Sequence, residues 1–208
     1  MPKITSIKYQ KNGKRVNLYV DEEYLISFNA ELVYKYNLNK GEDIDTDKIT
    51  QLIKQDDYDK AKMKALNYIS RTQKSEKKIR EKLLKEYDIE IVDKVIDFMK
   101  KYSFVDDSTF AHQLVNNGMN YKKVGKKKIQ QDLYLKGIGK EDRESAMESI
   151  DDDIELENAI YLAEKRKNRI KTEDKNILKN KLFQHLAYKG FDYSTINKAI
   201  RCVLENSY

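Results

Sequence analysis

Apolar and polar residues alternate near the start of the chain, which is the spacing of a half-buried β-strand. Residues 16–20 follow this pattern, and the Asn12-Gly13 pair before them is a strong signal for a hairpin turn. A further apolar run covers residues 24–28. We therefore expect a small three-stranded antiparallel meander. Because it can bury little by itself, we expect it to pack on a short helix near residues 30–36 or on a helical body.

Beyond residue 45 the apolar spacing changes to three or four residues, which is typical of amphipathic helices. One long helix or two abutting helices are expected over residues 46–69. Ser75-Glu76 opens a second helix, and a third carries the apolar residues of 89–99. Residues 104–108 supply a turn and an N-cap, so the next helix is predicted to start at Thr109.

The helical part of the sequence repeats itself. An apolar pair four residues apart, as one helical face requires, occurs three times, as Ile79 and Leu83, Ile129 and Leu133, and Leu182 and Leu186. The pairs are separated by 50 and then 53 residues. Lys136-Gly137-Ile138 and Lys189-Gly190-Phe191 follow the last two pairs, as expected of a glycine cap with an apolar residue behind it.

Chance is the alternative, because Leu and Ile at four-residue spacing occur in any helical protein. The fixed period and the repeated cap favour three tandem three-helix units. The predicted fold is therefore mainly α, with the three repeats forming an elongated curved body after the N-terminal meander. Its predicted divisions are 1–45 for the meander and short helix, then 46–107, 108–152 and 153–208 for the three repeats.

The composition fits a helical protein, with 37% charged residues, seven glycines and one proline. These are too few turn formers for a sandwich or barrel of short strands. The single cysteine, Cys202, allows no disulfide within the chain and suits a reducing compartment. No run reaches the roughly 18 apolar residues of a membrane span, and the first residues lack a signal-peptide core. We expect a cytoplasmic monomer with no membrane partner.

Charge is segregated in step with the repeats of this chain, whose net charge is +6. Residues 61–82, 118–140 and 164–181 carry excesses of +6, +6 and +5, whereas residues 141–157 carry −8. If the repeats stack in similar orientations, their basic helices form a stripe. Such a stripe fits a phosphate backbone or the acidic groove of a filament. A solvated, lysine-rich surface is the alternative for any one run.

The predicted partner-binding or nucleic-acid-binding residues come from these basic windows. They are Arg71, Lys74, Lys77, Lys78, Arg80, Lys82, Lys122, Lys123, Lys126, Lys127, Lys128, Arg166, Lys167 and Arg169. Tyrosines lie near them at Tyr68, Tyr121, Tyr134 and Tyr188. These rings either stack on bases or cover the edges of the core.

Signals for catalysis are weak. His112 and His185 have no Cys or His neighbour at metal-ligand spacing. Gly137-Ile138-Gly139-Lys140 follows a helix and lacks the Ser or Thr of a phosphate loop, so cap glycines explain it better. Asp106-Asp107 and Asp151-Asp152-Asp153 precede helices, where acids favour the helix dipole, although paired carboxylates also bind metals. We expect no catalytic residue, no metal and no cofactor.

Several strings resemble the RecX family. In the first repeat these are Ala65-Leu66-Asn67-Tyr68-Ile69-Ser70-Arg71, Lys74-Ser75-Glu76, Arg80-Glu81-Lys82-Leu83, Phe104-Val105-Asp106-Asp107 and Phe110-Ala111. The second repeat contributes Gly125, Lys128-Ile129, Leu133 and Lys136-Gly137-Ile138, and the third contributes Leu186 to Phe191, Ile196 and Ala199-Ile200. The resemblance covers roughly residues 60 to 204.

The resemblance implies a regulator of the RecA recombinase that is not itself an enzyme. Members of the family bind in the helical groove of the RecA filament on single-stranded DNA, lower its ATPase and strand-exchange activities, and limit filament extension. The same basic stripe supports an alternative, a general binder of single-stranded or duplex nucleic acid without recombinase specificity. An enzyme that uses the aspartate pairs is a third hypothesis.

Overall fold

The structure, a computed structural model, describes residues 2–205. Within them the chain forms three strands, ten α-helices and one π-helical turn. The strands are β1 Ile4–Tyr9, β2 Arg15–Val20 and β3 Glu23–Asn29. The helices are α1 Glu31–Lys35, α2 Thr46–Ile69, α3 Glu76–Leu83, α4 Ile89–Lys101, α5 Asp107–Asn116, α6 Lys126–Lys136, α7 Lys140–Glu148, α8 Asp152–Lys167, α9 Lys175–Tyr188 and α10 Tyr193–Glu205. The π-helical turn, Asn117–Lys122, follows α5.

The three strands form one antiparallel sheet in the order β1-β2-β3. Val16 of β2 pairs with Tyr9 on one side and with Phe28 on the other. The turn between β1 and β2 holds Gly13 at φ +66°, which glycine adopts without strain. The predicted meander is confirmed.

The sheet buries its apolar face against α1 and the start of α2. Val16, Leu18 and Phe28 are fully buried and belong to one cluster with Leu32 of α1 and Leu52 of α2. The short helix predicted near residues 30–36 is therefore present and contributes to the core of the meander. Helix α2 is continuous over 24 residues, so the 46–69 segment is one long helix rather than two.

A buried carboxylate joins the sheet to α2. Asp56, 2% exposed, accepts a hydrogen bond from Arg15 Nη2 at 3.0 Å and from the backbone N–H of Asn29 at 2.8 Å. Lys60 Nζ lies 2.7 Å from the same carboxylate. Burial alone would raise the pKa of Asp56, but the hydrogen bonds from Arg15, Lys60 and Asn29 together lower it below its ordinary value.

Asp56→Asn should lower the free energy of unfolding by about 3 kcal/mol at neutral pH, because Arg15 and Lys60 lose their shared counter-ion. The pKa of Asp56 is lower in the folded than in the unfolded chain. Its stabilisation is therefore complete above the ordinary aspartate pKa of about 4 and is lost as the pH falls further. Urea unfolding at neutral and acidic pH measures both effects.

Asp57→Asn is the matched control, since this more exposed neighbour also contacts Lys60. Its effect should stay below about 1 kcal/mol, as expected of an ion pair open to solvent. An Asp56→Asn loss as large at acidic as at neutral pH would show that the charge of Asp56 is not what stabilises this region.

The chain divides into two compact units. The first contains residues up to 72 together with 79–101, and the second contains 73–78 together with the residues from 102 onward. In the first unit α2 packs against α4. In the second, α5, α6 and α7 enclose one apolar core, and α8, α9 and α10 enclose another. The predicted fold class is confirmed: mainly α, with three three-helix repeats after an N-terminal antiparallel sheet.

Equivalent glycine caps end the middle helices of the second and third repeats. Gly137 and Gly190 have φ values of +82° and +88°. The N–H groups of Ile138 and Phe191, one residue further on, each donate to a carbonyl five residues back at 3.2 Å. This is the geometry of a Schellman cap, so the predicted glycine caps are confirmed.

One helix start is predicted wrongly. Helix α5 begins at Asp107 rather than at Thr109, because the capping residue is Asp106, the first acid of the turn. The Asp106 carboxylate accepts hydrogen bonds from the Thr109 backbone N–H at 2.8 Å and from the Thr109 hydroxyl at 2.7 Å. Any of Asp106, Asp107 and Ser108 has a suitable cap side chain, so residue type alone does not choose among them.

The π-helical turn after α5 has no counterpart in the sequence predictions. Its Met119 carbonyl accepts a hydrogen bond at 2.9 Å from Nδ2 of Asn158, a residue of α8 that is 3% exposed. The Asn158 Oδ1 in turn accepts from Lys123 Nζ at 3.0 Å. A buried amide from the third repeat therefore satisfies a carbonyl in the irregular turn.

Candidate partner-binding surface

The first turn of α6 lies against the C-terminal end of α9, and we call this contact the α6–α9 joint. The N–H of Gly125 donates to the Lys189 carbonyl at 3.0 Å, and the N–H of Lys127 donates to the Gly190 carbonyl at 3.1 Å. A Cβ atom on Gly125 would lie 2.4 Å from the Gly190 carbonyl oxygen. The two backbones can approach this closely only because residue 125 is glycine.

The segment before α3 contacts the C-terminal end of α6 in a related way, forming the α3–α6 joint within the second unit. The hydroxyl of Ser75, which is fully buried, donates to the Lys136 carbonyl at 2.6 Å. A Cβ atom on Gly137 would lie 3.0 Å from Ser75 Oγ. Ser75 thus occupies the place of Gly125, and a side-chain hydrogen bond replaces a backbone one.

A carboxylate from another helix completes each joint. Glu155 of α8 accepts from the Lys126 N–H at 2.8 Å, and Asp107 of α5 accepts from the Glu76 N–H at 2.9 Å. These N–H groups lie in the first turns of α6 and α3, where intrahelical acceptors are missing. Burial raises the pKa of Glu155, although the Lys126 N–H and the Lys126 charge oppose it.

Neither carboxylate contact is predicted from the sequence. Asp107 is predicted only as an acid near the start of its own helix, and Glu155 has no predicted role. The residues in contact are 31 and 29 positions apart, so no local pattern links them.

The two joints place two basic segments at opposite ends of α6 within the second unit. Residues 74–78 lie at the C-terminal end of α6, and residues 126–128 lie between the start of α6 and the end of α9. Helix α6 has 11 residues, which separates the joints by about 16 Å at 1.5 Å per residue. The two basic segments are therefore separated by the length of α6.

Gly125→Ala should destabilise the protein by about 3 kcal/mol, because the added methyl group meets backbone atoms that cannot move independently. Gly139→Ala is the matched control, since Gly139 also precedes a helix and a Cβ there would meet nothing closer than 3.6 Å. That change should cost about 1 kcal/mol or less. Thermal and urea unfolding compare the two, and equal losses would show that the close approach is not essential.

Some of the predicted basic residues in the second repeat are engaged within their own unit. Lys122 and Lys128 both lie 3.8 Å from the carboxylate of Asp132. Lys126 forms an ion pair with Asp152. These contacts partly neutralise the run that the sequence singles out.

Other predicted basic residues also have internal partners. Lys123 contacts the buried Asn158, and Lys167 donates to the Val203 carbonyl at 3.0 Å. In the first unit Arg80 forms an ion pair with Asp93. Lys74 and Lys78 are only partly exposed.

The remaining predicted residues are exposed, and none of them has a carboxylate oxygen within 4 Å in the part of the chain that the structure describes. They are Arg71 and Lys82 in the first unit, and Lys77, Lys127, Arg166 and Arg169 in the second. These six side chains are the ones best placed to meet an acidic partner.

A cleft of about 240 Å³ in the third repeat collects further basic groups. It lies between the C-terminal part of α8 and that of α9, and its lining consists of Leu162, Lys165, Arg166, Arg169, His185 and Lys189. Two of these were predicted as partner-binding residues. His185 was predicted only as a helix-flank residue, because nothing local to it shows that Arg166 and Arg169 fold back beside it.

Three of the four predicted tyrosines are largely exposed. Tyr121 is 82%, Tyr134 68% and Tyr188 83% exposed. Arg143 lies over the Tyr134 ring at 5.5 Å, whereas Tyr68 is partly buried. These three rings are accessible to a ligand. Their exposure does not fit the alternative in which they cover the edges of the core.

The aspartate pairs cap helices as predicted. Asp106 caps α5, and the Asp151 carboxylate accepts from the Asp153 N–H at 2.8 Å at the start of α8. Hydrogen bonds from Thr109 lower the pKa of Asp106. Over residues 2–205, no three acidic, histidine or cysteine side chains gather as a metal site would require. Over the same range, no helix is long and apolar enough to cross a membrane.

A small sheet followed by three three-helix repeats with basic joints defines a helical-repeat protein. Family models match each part: the regulatory protein RecX N-terminal domain over residues 2–45, and the first, second and third RecX three-helix domains over 61–99, 106–147 and 153–200. The regulatory protein RecX of Clostridioides difficile (strain 630) is 46% identical over 202 residues, covering 97% of this chain and 95% of that protein. The chain therefore belongs to the RecX family.

Other relatives and solved structures agree. The regulatory protein RecX of Clostridium botulinum (strain Alaska E43) is 38% identical, covering 97% of this chain and 96% of that protein. A crystal structure of regulatory protein RecX has a TM-score of 0.72 at 26% identity and covers both chains fully. The crystal structure of RecX from Lactobacillus salivarius has a TM-score of 0.67 at 29% identity, covering 73% of this chain and 99% of that one.

Proposed function

We propose that this protein binds the RecA filament on single-stranded DNA and inhibits its ATPase activity, strand exchange and filament extension. It acts by binding alone, as a cytoplasmic monomer without enzymatic activity. Membership of a family of regulatory proteins supports a regulatory role. The structural observation that carries the proposal is a row of exposed cations on the second unit, Lys77, Lys127, Arg166 and Arg169, which have no carboxylate oxygen within 4 Å among residues 2–205.

Unpaired cations matter more for docking than paired ones. An exposed lysine with no carboxylate nearby can approach a phosphate or an acidic side chain and release bound counterions, which favours association. Lys122, Lys126 and Lys128 contact Asp132 or Asp152, so these carboxylates partly neutralise their charges. We therefore assign them a smaller share of the binding energy, although they belong to the same basic surface.

The spacing of the joints favours an extended partner. Lys77 lies at the α3–α6 joint and Lys127 at the α6–α9 joint, about 16 Å apart by the length of α6. A partner that meets both must present negative charge over at least that distance. A nucleoprotein filament does so, whereas a small acidic metabolite does not. Arg71, Arg80 and Lys82 of the first unit are proposed as additional contacts.

Lys77→Glu combined with Lys127→Glu should weaken inhibition of the DNA-stimulated RecA ATPase. We expect half-maximal inhibition to need about tenfold more protein, because two attractive contacts become repulsive. Among the described residues 2–205 neither side chain forms an ion pair, so the fold should be unchanged. Circular dichroism and thermal unfolding verify this before ATPase titrations are compared.

Lys11→Glu combined with Lys40→Glu is the matched control, with the same change in net charge at exposed positions of the N-terminal segment. This variant should inhibit like the wild type. Undiminished inhibition by the Lys77→Glu, Lys127→Glu variant would remove the second-unit cations from the docking surface. If both variants inhibited the RecA ATPase equally weakly, the loss would come from the change in net charge and not from the positions of Lys77 and Lys127.

A general nucleic-acid binder is the second candidate, favoured by the same unpaired cations and by the exposed Tyr121 and Tyr188 rings. Fluorescence anisotropy separates the two functions by comparing bare with RecA-coated single-stranded DNA at matched salt. We expect tighter binding to the coated strand, and a smaller Kd increase with salt there, because protein contacts add to phosphate contacts. Equal affinity for both would favour the general binder.

A further inference from the structure

The cleft between α8 and α9 concentrates positive charge without compensation. Lys165, Arg166, Arg169 and Lys189 supply four cations, and His185 adds a titratable fifth group. None of these side chains has a carboxylate oxygen within 4 Å among residues 2–205. No residue of α10, which also packs on α8 and α9, lines the cleft within that range.

Stabilisation of helix ends explains only part of this charge. Cations favour helix C-termini, and the cleft lies near the ends of α8 and α9. Each helix end contributes only about half of one negative elementary charge. Four cations beside two such ends therefore leave an excess of roughly three positive charges. Like charges this close repel one another, and an anion in the cleft would relieve that repulsion.

We propose that this cleft binds a phosphate group of a single-stranded nucleic acid, and that His185 takes up a proton when the phosphate enters. The inference deepens the proposed function, on which it rests for the class of ligand. Two arginines suit a phosphate because their planar donors can contact two of its oxygens at once. The cleft has a volume of about 240 Å³, which is enough to hold one phosphate group.

Exposed aromatic rings at both sides favour a nucleic acid over a lone phosphate. Tyr188 is 83% exposed, and its spacing places it on the same side of α9 as His185, three residues earlier. Tyr161, 46% exposed on α8, lies between the cations Lys123 and Lys165, whose Nζ atoms are 5.2 and 5.6 Å from its ring centre. Rings beside phosphate-binding cations are the usual platform for stacked bases.

The cleft also continues the basic row already described. Lys189 lines it, and the carbonyl of the same residue accepts the Gly125 N–H in the α6–α9 joint. A strand that leaves the cleft at Lys189 therefore meets the start of α6 next, where Lys127 is exposed. The cleft thus fixes one phosphate at the end of a longer track.

His185 makes the binding sensitive to pH. Burial lowers the pKa of His185, and Arg166, Lys189 and Arg169 lower it further. A phosphate in the cleft offsets those positive charges and so raises the pKa of the imidazole. By linkage, the complex gains affinity as the pH falls through the range in which His185 takes up its proton.

Binding of a labelled oligothymidine, measured by fluorescence anisotropy at about pH 6 and about pH 8, tests the proposal without RecA. We expect the Kd to be about three- to tenfold lower at the lower pH. His185→Gln should abolish this difference. His112→Gln, at the only other histidine of the chain, should preserve it. Since this assay contains no RecA, a negative result would not contradict the proposed inhibition of RecA. A protein that fails to inhibit RecA would likewise not contradict phosphate binding in the cleft.

NMR of the two imidazoles is the second measurement, and it needs only the intact wild-type protein. The pKa of His185 should rise when the oligothymidine is added, and the His112 resonances serve as the internal control. Inorganic phosphate alone should produce the same change at a much higher concentration. A Kd that does not depend on pH, a pH dependence retained by His185→Gln, or a His185 pKa unmoved by the oligonucleotide would each overturn the proposal.

Discussion

The second unit depends on the close approach of two backbones, where Gly125 meets Gly190 at the α6–α9 joint. The hydrogen bonds at this joint run from main chain to main chain, so they fix the start of α6 relative to α9 independently of side-chain rotamers. The Glu155 carboxylate accepts a hydrogen bond from the first N–H of α6, which joins α8 to the same contact. Positions of the cations in the second and third repeats follow from this contact.

The α3–α6 joint shows the same arrangement in different chemistry. Ser75 replaces Gly125, and Asp107 replaces Glu155, yet in both joints a carboxylate accepts from the first turn of a middle helix. A repeat architecture requires neighbouring repeats to contact one another in similar ways. What the two joints share is the geometry, in which the N-terminal turn of one helix lies on the capped C-terminus of another, and not the residue types that provide it.

The sequence predicts those parts of the fold that depend on local patterns. The hairpin at Asn12-Gly13, the paired apolar residues of the middle helices and the glycine caps at 137 and 190 each follow from the conformations available to a few adjacent residues. The start of α5 is predicted two residues too late, because three successive residues can all cap a helix. The π-helical turn has no local signal, since the Asn158 side chain that satisfies it comes from α8.

The candidate site is less predictable for the same reason. Basic windows identify Arg166 and Arg169, but only the folded chain shows that Lys126 pairs with Asp152 while Lys127 does not. Whether a lysine is available to a partner depends on acids far away in sequence. The cleft around His185 likewise forms from two helices joined by a turn, so its charge density is invisible in either helix alone.

The π-helical turn makes the length of the segment before Gly125 critical. One residue of α-helix corresponds to about 100° of rotation, so removing a residue from 117–122 would turn everything after it by that amount. The hydrogen bond from the Asn158 amide to the Met119 carbonyl would then be lost, and Gly125 would no longer face the end of α9. Single-residue deletions within residues 117–122 should therefore be less tolerated than most point substitutions there, and alignments of related chains should place their gaps elsewhere.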